Sequence, residues 1–423
     1  MRGQIWIFFI VITFFIILVD FYSYRGVNQL TQNLSARYNA IIKYSYWGIT
    51  VISIGILLFL FLNRERYSFE QFFRYLTVFN GFFILFYVPK LFFIVFLLLK
   101  DIVDLIINAW THIHPGDDSP VQQGEKISRT DFLLKAGIIL SAIPFISILH
   151  GIFRGRTNFT VNRIKLSFPN LPEAFDGLKL VQISDLHIGS FGSDTSDIHQ
   201  AVRIVNNLNA DYVLFTGDMV NNRALEMQPF ISTLKEMKSK NGNYAILGNH
   251  DYGEYYPWAS EKEREENMKT LYEYFSDSGF HLLRNESVFL EKGKDRILLG
   301  GVENWGLPPF PQHGDLKQTL KNADGVNFKI LMSHDPSHWD AEILDKTDVD
   351  LTLSGHTHGM QFAIKIPGWR WSPVRFKYPR WAGLYTEGER SLYVNIGLGF
   401  IAFPGRVGTP PEITEITLKS YKA

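Results

Sequence analysis

Seven residues in the C-terminal half of the chain are of types that bind divalent cations: Asp185, His187, Asp218, Asn249, His334, His356 and His358. Two carboxylates, one amide and four imidazoles are about the donor set needed for two metal ions with positions left for water and substrate. A carboxylate can bridge two cations, and Asp218 is the candidate for that role. Such a pair activates a water and holds the oxygens of a phosphate group during in-line displacement. Mixed nitrogen and oxygen donors suit Mn, Fe or Zn rather than Mg or Ca, which prefer oxygen shells. The chain contains no cysteine, so thiolate sites and disulfides are excluded. His250 is left over beside Asp251. The expectation is that Asp251 orients the His250 imidazole and favours its protonated form, and that His250 then protonates a leaving alkoxide or stabilises phosphoryl charge.

A His-x-His pair alone carries little weight, because most short motif matches are accidental. "THIHPGDD" places His112 and His114 at the same spacing as His356 and His358, with nothing around it that resembles a site. The elements that precede each polar corner separate the two cases. "LKLVQIS", "DYVLFT", "NYAILG", "RILLGG", "FKILMS", "DLTLSG" and "LYVNIG" are short runs rich in Val, Ile and Leu that predict buried strands. "SDIHQAVRIVNNL" and "EKEREENMKTLYEYF" predict helices between them, which makes this half an α/β domain. Five of the strands are followed at once by Asp185-Leu186-His187, Gly217-Asp218, Gly248-Asn249-His250-Asp251, Ser333-His334-Asp335 and Gly355-His356-Thr357-His358. In α/β sheets that carboxyl edge is where loops converge on ligands. Gly217, Gly248 and Gly355 each precede a polar site residue, where the backbone must turn sharply and approach the ligand closely.

With "DLH", "GD", "GNHD", "SHD" and "GHTH" in this order, residues 159 to 419 closely resemble the calcineurin-like metallophosphoesterase superfamily. The resemblance implies a sandwich of two mixed β-sheets flanked by helices. It implies that Asp185, His187, Asp218 and His358 hold one metal, that Asp218, Asn249, His334 and His356 hold the other, and that His250 is the catalytic histidine. The opening "FDGLKLVQISDLH" and the ending "GTPPEITEITL" are similar to those of membrane-associated members. Met360 stands where relatives usually have a second glycine after "GHTHG", which would make the wall beside the metals more apolar. "GLGFIAFPGR" resembles the family's glycine-rich closing strand, with Arg406 either a phosphate or headgroup contact or a plain surface arginine.

The chain has 423 residues and a net charge of +0, too long for one ordinary core and without the basic excess that nucleic acid requires as main partner. Residues 1–153 read as a polytopic membrane region and residues 157–423 as the phosphoesterase domain. Ile5 to Val19, Tyr44 to Leu62 and Ala136 to Phe153 are each close to the length of about 20 residues that crosses a bilayer. The segment between the second and last of these allows two readings, one long kinked span from Tyr75 to Leu99 or a hairpin at Pro89-Lys90. The total is therefore four or five spans. The polar stretch "THIHPGDDSPVQQGEKISRTD" reads as a connector outside the membrane.

These readings lead to a membrane-anchored dinuclear phosphohydrolase acting on a phosphorylated small molecule or lipid, by way of a metal-activated water. The alternative is a noncatalytic sensor that binds a phosphorylated ligand through the same metal site, against which an intact donor set and an intact His250 both speak. Between the "GHTH" corner and the closing strand, Trp369, Trp371 and Trp381 interleave with Arg370, Arg375, Lys377 and Arg380. They either pack on the domain or lean on membrane lipids. The distribution of Lys and Arg around the spans, with "SRTDFLLKAG" similar to a degenerate twin-arginine export signal, favours an extracytoplasmic catalytic domain. That distribution fits best when the third segment is split into two spans.

Overall fold

A computed structural model describes residues 2–113 and 129–421. His114 and most of the polar connector lie outside the described residues. Contacts divide the chain into two units, Met1–Ile152 and Phe153–Ala423.

The first unit has four apolar helices, α1 (Arg2–Thr31), α2 (Ala36–Asn63), α3 (Phe69–Ile113) and α4 (Arg129–His150). All four are long and apolar enough to cross a membrane. The third segment is one helix and has no hairpin at Pro89-Lys90. Its 45 residues extend about 67 Å, far more than the hydrocarbon thickness, so Lys100, Asp101 and Asp104 need not lie in lipid. Pro89 is buried within it, and Lys90 is paired with the fully buried Asp20 of α1. A cation that is costly in lipid alone is tolerated because its counter-charge and two tyrosine rings surround it.

The second unit is a two-sheet sandwich. The first sheet runs β1 (Thr160–Phe168), β14 (Glu412–Ser420), β2 (Lys179–Ile183), β3 (Tyr212–Phe215), β4 (Asn243–Ala245), β5 (Phe280–Leu282). The second runs β12 (Gly383–Glu387), β13 (Arg390–Val394), β9 (Leu351–Ser354), β8 (Lys329–Met332), β7 (Asp295–Gly301), β6 (Glu286–Lys292). The short strands β10 (Ile364–Ile366) and β11 (Trp369–Trp371) form a separate hairpin. Strands β2 to β5 are mutually parallel, as are β7, β8, β9 and β13, while β14, β6 and β12 pair antiparallel with a neighbour. Both sheets are therefore mixed.

Period-two alternation builds the layers. Leu180, Leu214, Ile330, Met332, Leu351 and Leu353 point between the sheets. Val181, Ile183, Val213 and Phe215 face the opposite way, onto α5 (Ser196–Asn207), α6 (Ile231–Lys235) and α7 (Glu261–Asp277). Leu331, Leu392 and Val394 cover the outer face of the second sheet with Trp339 and Ile343. A one-turn helix, α8 (Leu316–Thr319), closes the edge beside β6. With both faces buried, the parallel strands can only be continuous apolar runs, which is how they read in the sequence.

Candidate metal centre

Each polar corner follows the carboxyl end of a parallel strand: β2, β3 and β4 from one sheet, β8 and β9 from the other. The corners bring all seven expected donor residues together. His187 Nε2 and His358 Nε2 are 3.0 Å apart, His358 Nε2 is 3.2 Å from Asp185 Oδ1, and His187 Nε2 is 3.5 Å from Asp218 Oδ2. On the other side of Asp218, the same Oδ2 lies 3.2 Å from His334 Nε2. His334 Nε2 is 3.3 Å from His356 Nδ1, which is 2.8 Å from Asn249 Oδ1. Among the described residues, three groups of three donors are each close enough together to hold a metal ion, Asp185–His187–His358, His187–Asp218–His250 and Asp218–His334–His356, and Asn249 Oδ1 adjoins the last through His356. Donors bonded to one ion at about 2.1 Å stand roughly 3.0–3.4 Å from one another, so these separations are of the size a divalent cation requires.

The backbone is strained to achieve this. Asp185, His187, Asp218, His356 and His358 all have positive φ, between 42° and 72°. This left-handed region is disfavoured for residues with a Cβ, and its concentration here marks the site. The glycines serve two different needs. Gly217 has φ 96°, a turn requirement, whereas at Gly248 a Cβ would stand 2.2 Å from Asp218 Oδ1, a requirement of close approach.

Burial and mutual charge set the protonation of the donors. Burial pushes His187 down to about 3, His356 down to about 4 and His358 well below its usual value, so these rings are neutral and offer lone pairs. Burial alone would lower His334 too, but the charges of Asp218 and Asp185 outweigh it and hold His334 at about 10. Burial would raise Asp218, and the surrounding imidazoles, His334 foremost, instead hold it well below the usual carboxylate range. Asp185 is pushed by burial up to about 7.

Residues outside the donor set fix the rings. His334 Nδ1 donates to the Thr216 carbonyl at 2.7 Å, which turns Nε2 toward Asp218. His356 Nε2 is 2.7 Å from the Tyr378 hydroxyl and 3.4 Å from Asp335 Oδ2. Asn249 donates its amide N–H to the Tyr255 hydroxyl at 3.0 Å, leaving its Oδ1 for the site. Tyr378 and Tyr255 carry no sequence signal of this role, because neither sits at a strand end.

Two expectations require correction. Asp251 does not touch the His250 ring. It is fully buried and accepts backbone N–H groups from Asp218 and Gly248 at Oδ2 and from Met219 and Val220 at Oδ1, at 2.8–3.1 Å. The carboxylate thus ties the β3 and β4 corners together, while His250 Nδ1 is held by the Asn221 carbonyl at 2.8 Å. Arg406 is not at the surface. It is 1% exposed and donates to the carbonyls of Ile396, Gly399 and Thr409, with Nη2 3.2 Å from His358 Nδ1, so it braces the loop behind His358. Met360, two residues past His358, is 56% exposed. The three tryptophans also separate: Trp381 is buried with Tyr378 and Ile396, whereas Trp369 is 48% exposed.

The family model described as the transmembrane domain of probable calcineurin-like phosphoesterases matches residues 1–156, and the calcineurin-like phosphoesterase model matches residues 178–360. The transmembrane protein with metallophosphoesterase domain of Danio rerio is 28% identical over 290 residues, which cover 67% of this chain and 62% of that protein. This chain thus spans less than two thirds of the length of that relative. The metallophosphoesterase YkuE of Bacillus subtilis is 32% identical over 62% of this chain and 85% of its own length. The metallophosphoesterase Cj0846 of Campylobacter jejuni is 26% identical over 98% of this chain and all of its own. With a motif-bearing domain and a helical region that both match, the chain belongs to the calcineurin-like phosphoesterases, in a form that carries transmembrane helices.

Proposed function

We propose that the protein is a dinuclear metal-dependent phosphohydrolase that cleaves a phosphoester or pyrophosphate bond of a lipid-linked or small phosphorylated substrate. The observation that carries this reading is the position of Asp218 Oδ2 between His187 Nε2 at 3.5 Å and His334 Nε2 at 3.2 Å, with further donors on either side. Asp185, His187, Asp218 and His358 would hold one ion, and Asp218, Asn249, His334 and His356 the other. Two ions of the Mn, Fe or Zn type would supply an activated water and positive charge for the phosphoryl oxygens. Neutral His187, His356 and His358 provide lone pairs, and the strained corners keep the donors converged before any ligand arrives. His250 is bonded at Nδ1 to the Asn221 carbonyl, so Nε2 is its free atom. As imidazolium it would donate the Nε2 proton to the leaving oxygen. Asp251 supports this only by fixing the backbone around Asp218 and Gly248.

The catalytic domain is proposed to be extracytoplasmic. Four spans return the chain to the side from which α1 starts. With four spans the charges are more nearly balanced: Arg25, Arg37, Lys43, Lys126, Arg129 and Lys135 would lie in the cytoplasm, and Arg2, Arg64, Arg66 and Arg74 outside it. Protease added to intact spheroplasts should then remove the phosphoesterase unit, and protection until lysis would reverse the assignment.

The activity is tested on the purified full chain in detergent with added Mn, Fe or Zn, using aryl phosphodiester and aryl phosphomonoester substrates. Turnover of at least one of the two esters is expected. No turnover with any divalent metal would reject the enzymatic reading.

A further inference from the structure

The β10–β11 hairpin has one apolar face that no other described residue covers. Its register pairs Ile364 with Trp371 and Ile366 with Trp369, so these four side chains share one face, while Lys365 and Arg370 occupy the other. Ile364, Ile366 and Trp369 are 53%, 56% and 48% exposed. Phe376, 83% exposed, adds its ring edge-on to Trp371 at 6.3 Å between centroids. A two-stranded hairpin is marginal in water, and contiguous exposed apolar side chains mark a surface that meets a partner.

We propose that this face is a bilayer-docking surface that seats in the headgroup region of the membrane. The same chain carries four apolar spans, so a bilayer is always within its reach. The chemistry of the patch matches that partner. Aromatic and branched aliphatic side chains on one face lie next to exposed Arg375 and Lys377, which border Phe376 in the sequence, the pattern of elements that lie in an interface with anionic lipids. Trp381, by contrast, is buried beneath the hairpin's base and serves as its packing anchor.

The hairpin is tied to the metal corner. Ser372 Oγ donates to the Gly359 carbonyl at 2.8 Å, Thr357 Oγ1 donates to the Trp381 carbonyl at 2.7 Å, and Tyr378 meets His356. Docking would thus hold the "GHTH" corner at the membrane surface and present it to phosphoesters carried by lipids. This consequence rests on the proposed hydrolase reading, whereas the docking itself does not.

The natural chain lacks cysteine, so a spin label can be placed at one site without background. Trp369→Cys and Phe376→Cys are each labelled in the full chain, with Lys294→Cys in the exposed β6–β7 turn as the aqueous reference. The proteins are reconstituted in vesicles of phosphatidylcholine with phosphatidylglycerol. Paramagnetic relaxation by oxygen is then compared with relaxation by a water-soluble nickel chelate. Labels at 369 and 376 should collide preferentially with oxygen, and the label at 294 with nickel. Nickel accessibility at 369 and 376 equal to that at 294 would overturn the proposal. Shielding from both agents would overturn it equally, in favour of a protein partner. Neither outcome depends on catalytic activity, so docking can fail or hold whatever the fate of the hydrolase reading.

Discussion

Asp218 Oδ2 stands 3.2 Å from His334 Nε2, and both side chains are almost completely buried. The charge of Asp218 holds His334 up at about 10, and the imidazoles around Asp218 hold its carboxyl well below the usual range, at the point where the two proposed donor groups meet. A metal that takes both atoms as ligands must displace the proton between them, because only neutral imidazole coordinates.

That requirement fixes a pH dependence. His334, at about 10, keeps its proton throughout the neutral range, and Asp185, at about 7, is partly protonated there. Both groups bind protons more tightly in the folded protein than free side chains do, so lowering the pH opposes metal entry. Affinity should fall about tenfold per pH unit for each proton released: one between pH 8 and 10, and approaching two below pH 7. Manganese titrations at pH 6, 7 and 8 with buffers of different ionisation enthalpy measure both the affinity and the proton count. An affinity that does not change with pH would contradict this protonation pattern.

Asp218 and His250 should separate by readout. Asp218→Ala removes the atom common to both proposed donor groups and should lose bound metal and turnover together. His250→Ala should retain metal and lose about 10²-fold or more in turnover, the usual scale for an acid–base group. Metal content by elemental analysis beside the rate on an aryl ester decides it. Full activity of His250→Ala would remove this residue from the mechanism.

Asp251 illustrates what was legible in the sequence and what was not. The donor residues stood out because each is a polar residue directly after an apolar strand, and strand ends are local features. The role of Asp251 was misread because adjacency to His250 suggested contact, while the turn at Gly248 to Asp251 points successive side chains in different directions. The burial of Arg406, the reach of Tyr378 to His356 and the placement of β14 between β1 and β2 depend on register across long sequence separations. No local pattern encodes those distances. The exposed hairpin face was only half visible, since period two is evident in both "IKI" and "WRW" but the register that sets them on one face is not.

The corrected role gives a third expectation. Asp251→Ala would leave four buried backbone N–H groups without their acceptor, at about 1–3 kcal/mol each. The phosphoesterase unit should lose several degrees or more in its thermal midpoint, with amide exchange accelerated first at the β3 and β4 corners. A role confined to tuning His250 would instead shift the pH–rate profile and leave the thermal midpoint in place.

The last expectation concerns the helical unit. Asp20 is fully buried and its carboxylate takes Lys90, the Thr50 hydroxyl at 2.6 Å and the Tyr87 hydroxyl at 2.8 Å, while Lys90 Nζ lies 4.5 Å from the ring centroids of both Tyr46 and Tyr87. Three helices therefore converge on one charge pair. Lys90→Met leaves the carboxylate buried without its counter-charge and should destabilise the bundle by about 3–5 kcal/mol. Adding Asp20→Asn removes the orphaned charge and should recover most of that loss, because replacing both members of a buried pair is far less disruptive than removing one. Thermal unfolding in detergent, followed by near-ultraviolet circular dichroism of the helix aromatics, measures all four combinations. If the single and double variants are equally unstable, the helices are held by packing around Tyr46 and Tyr87, and the ion pair contributes nothing of its own.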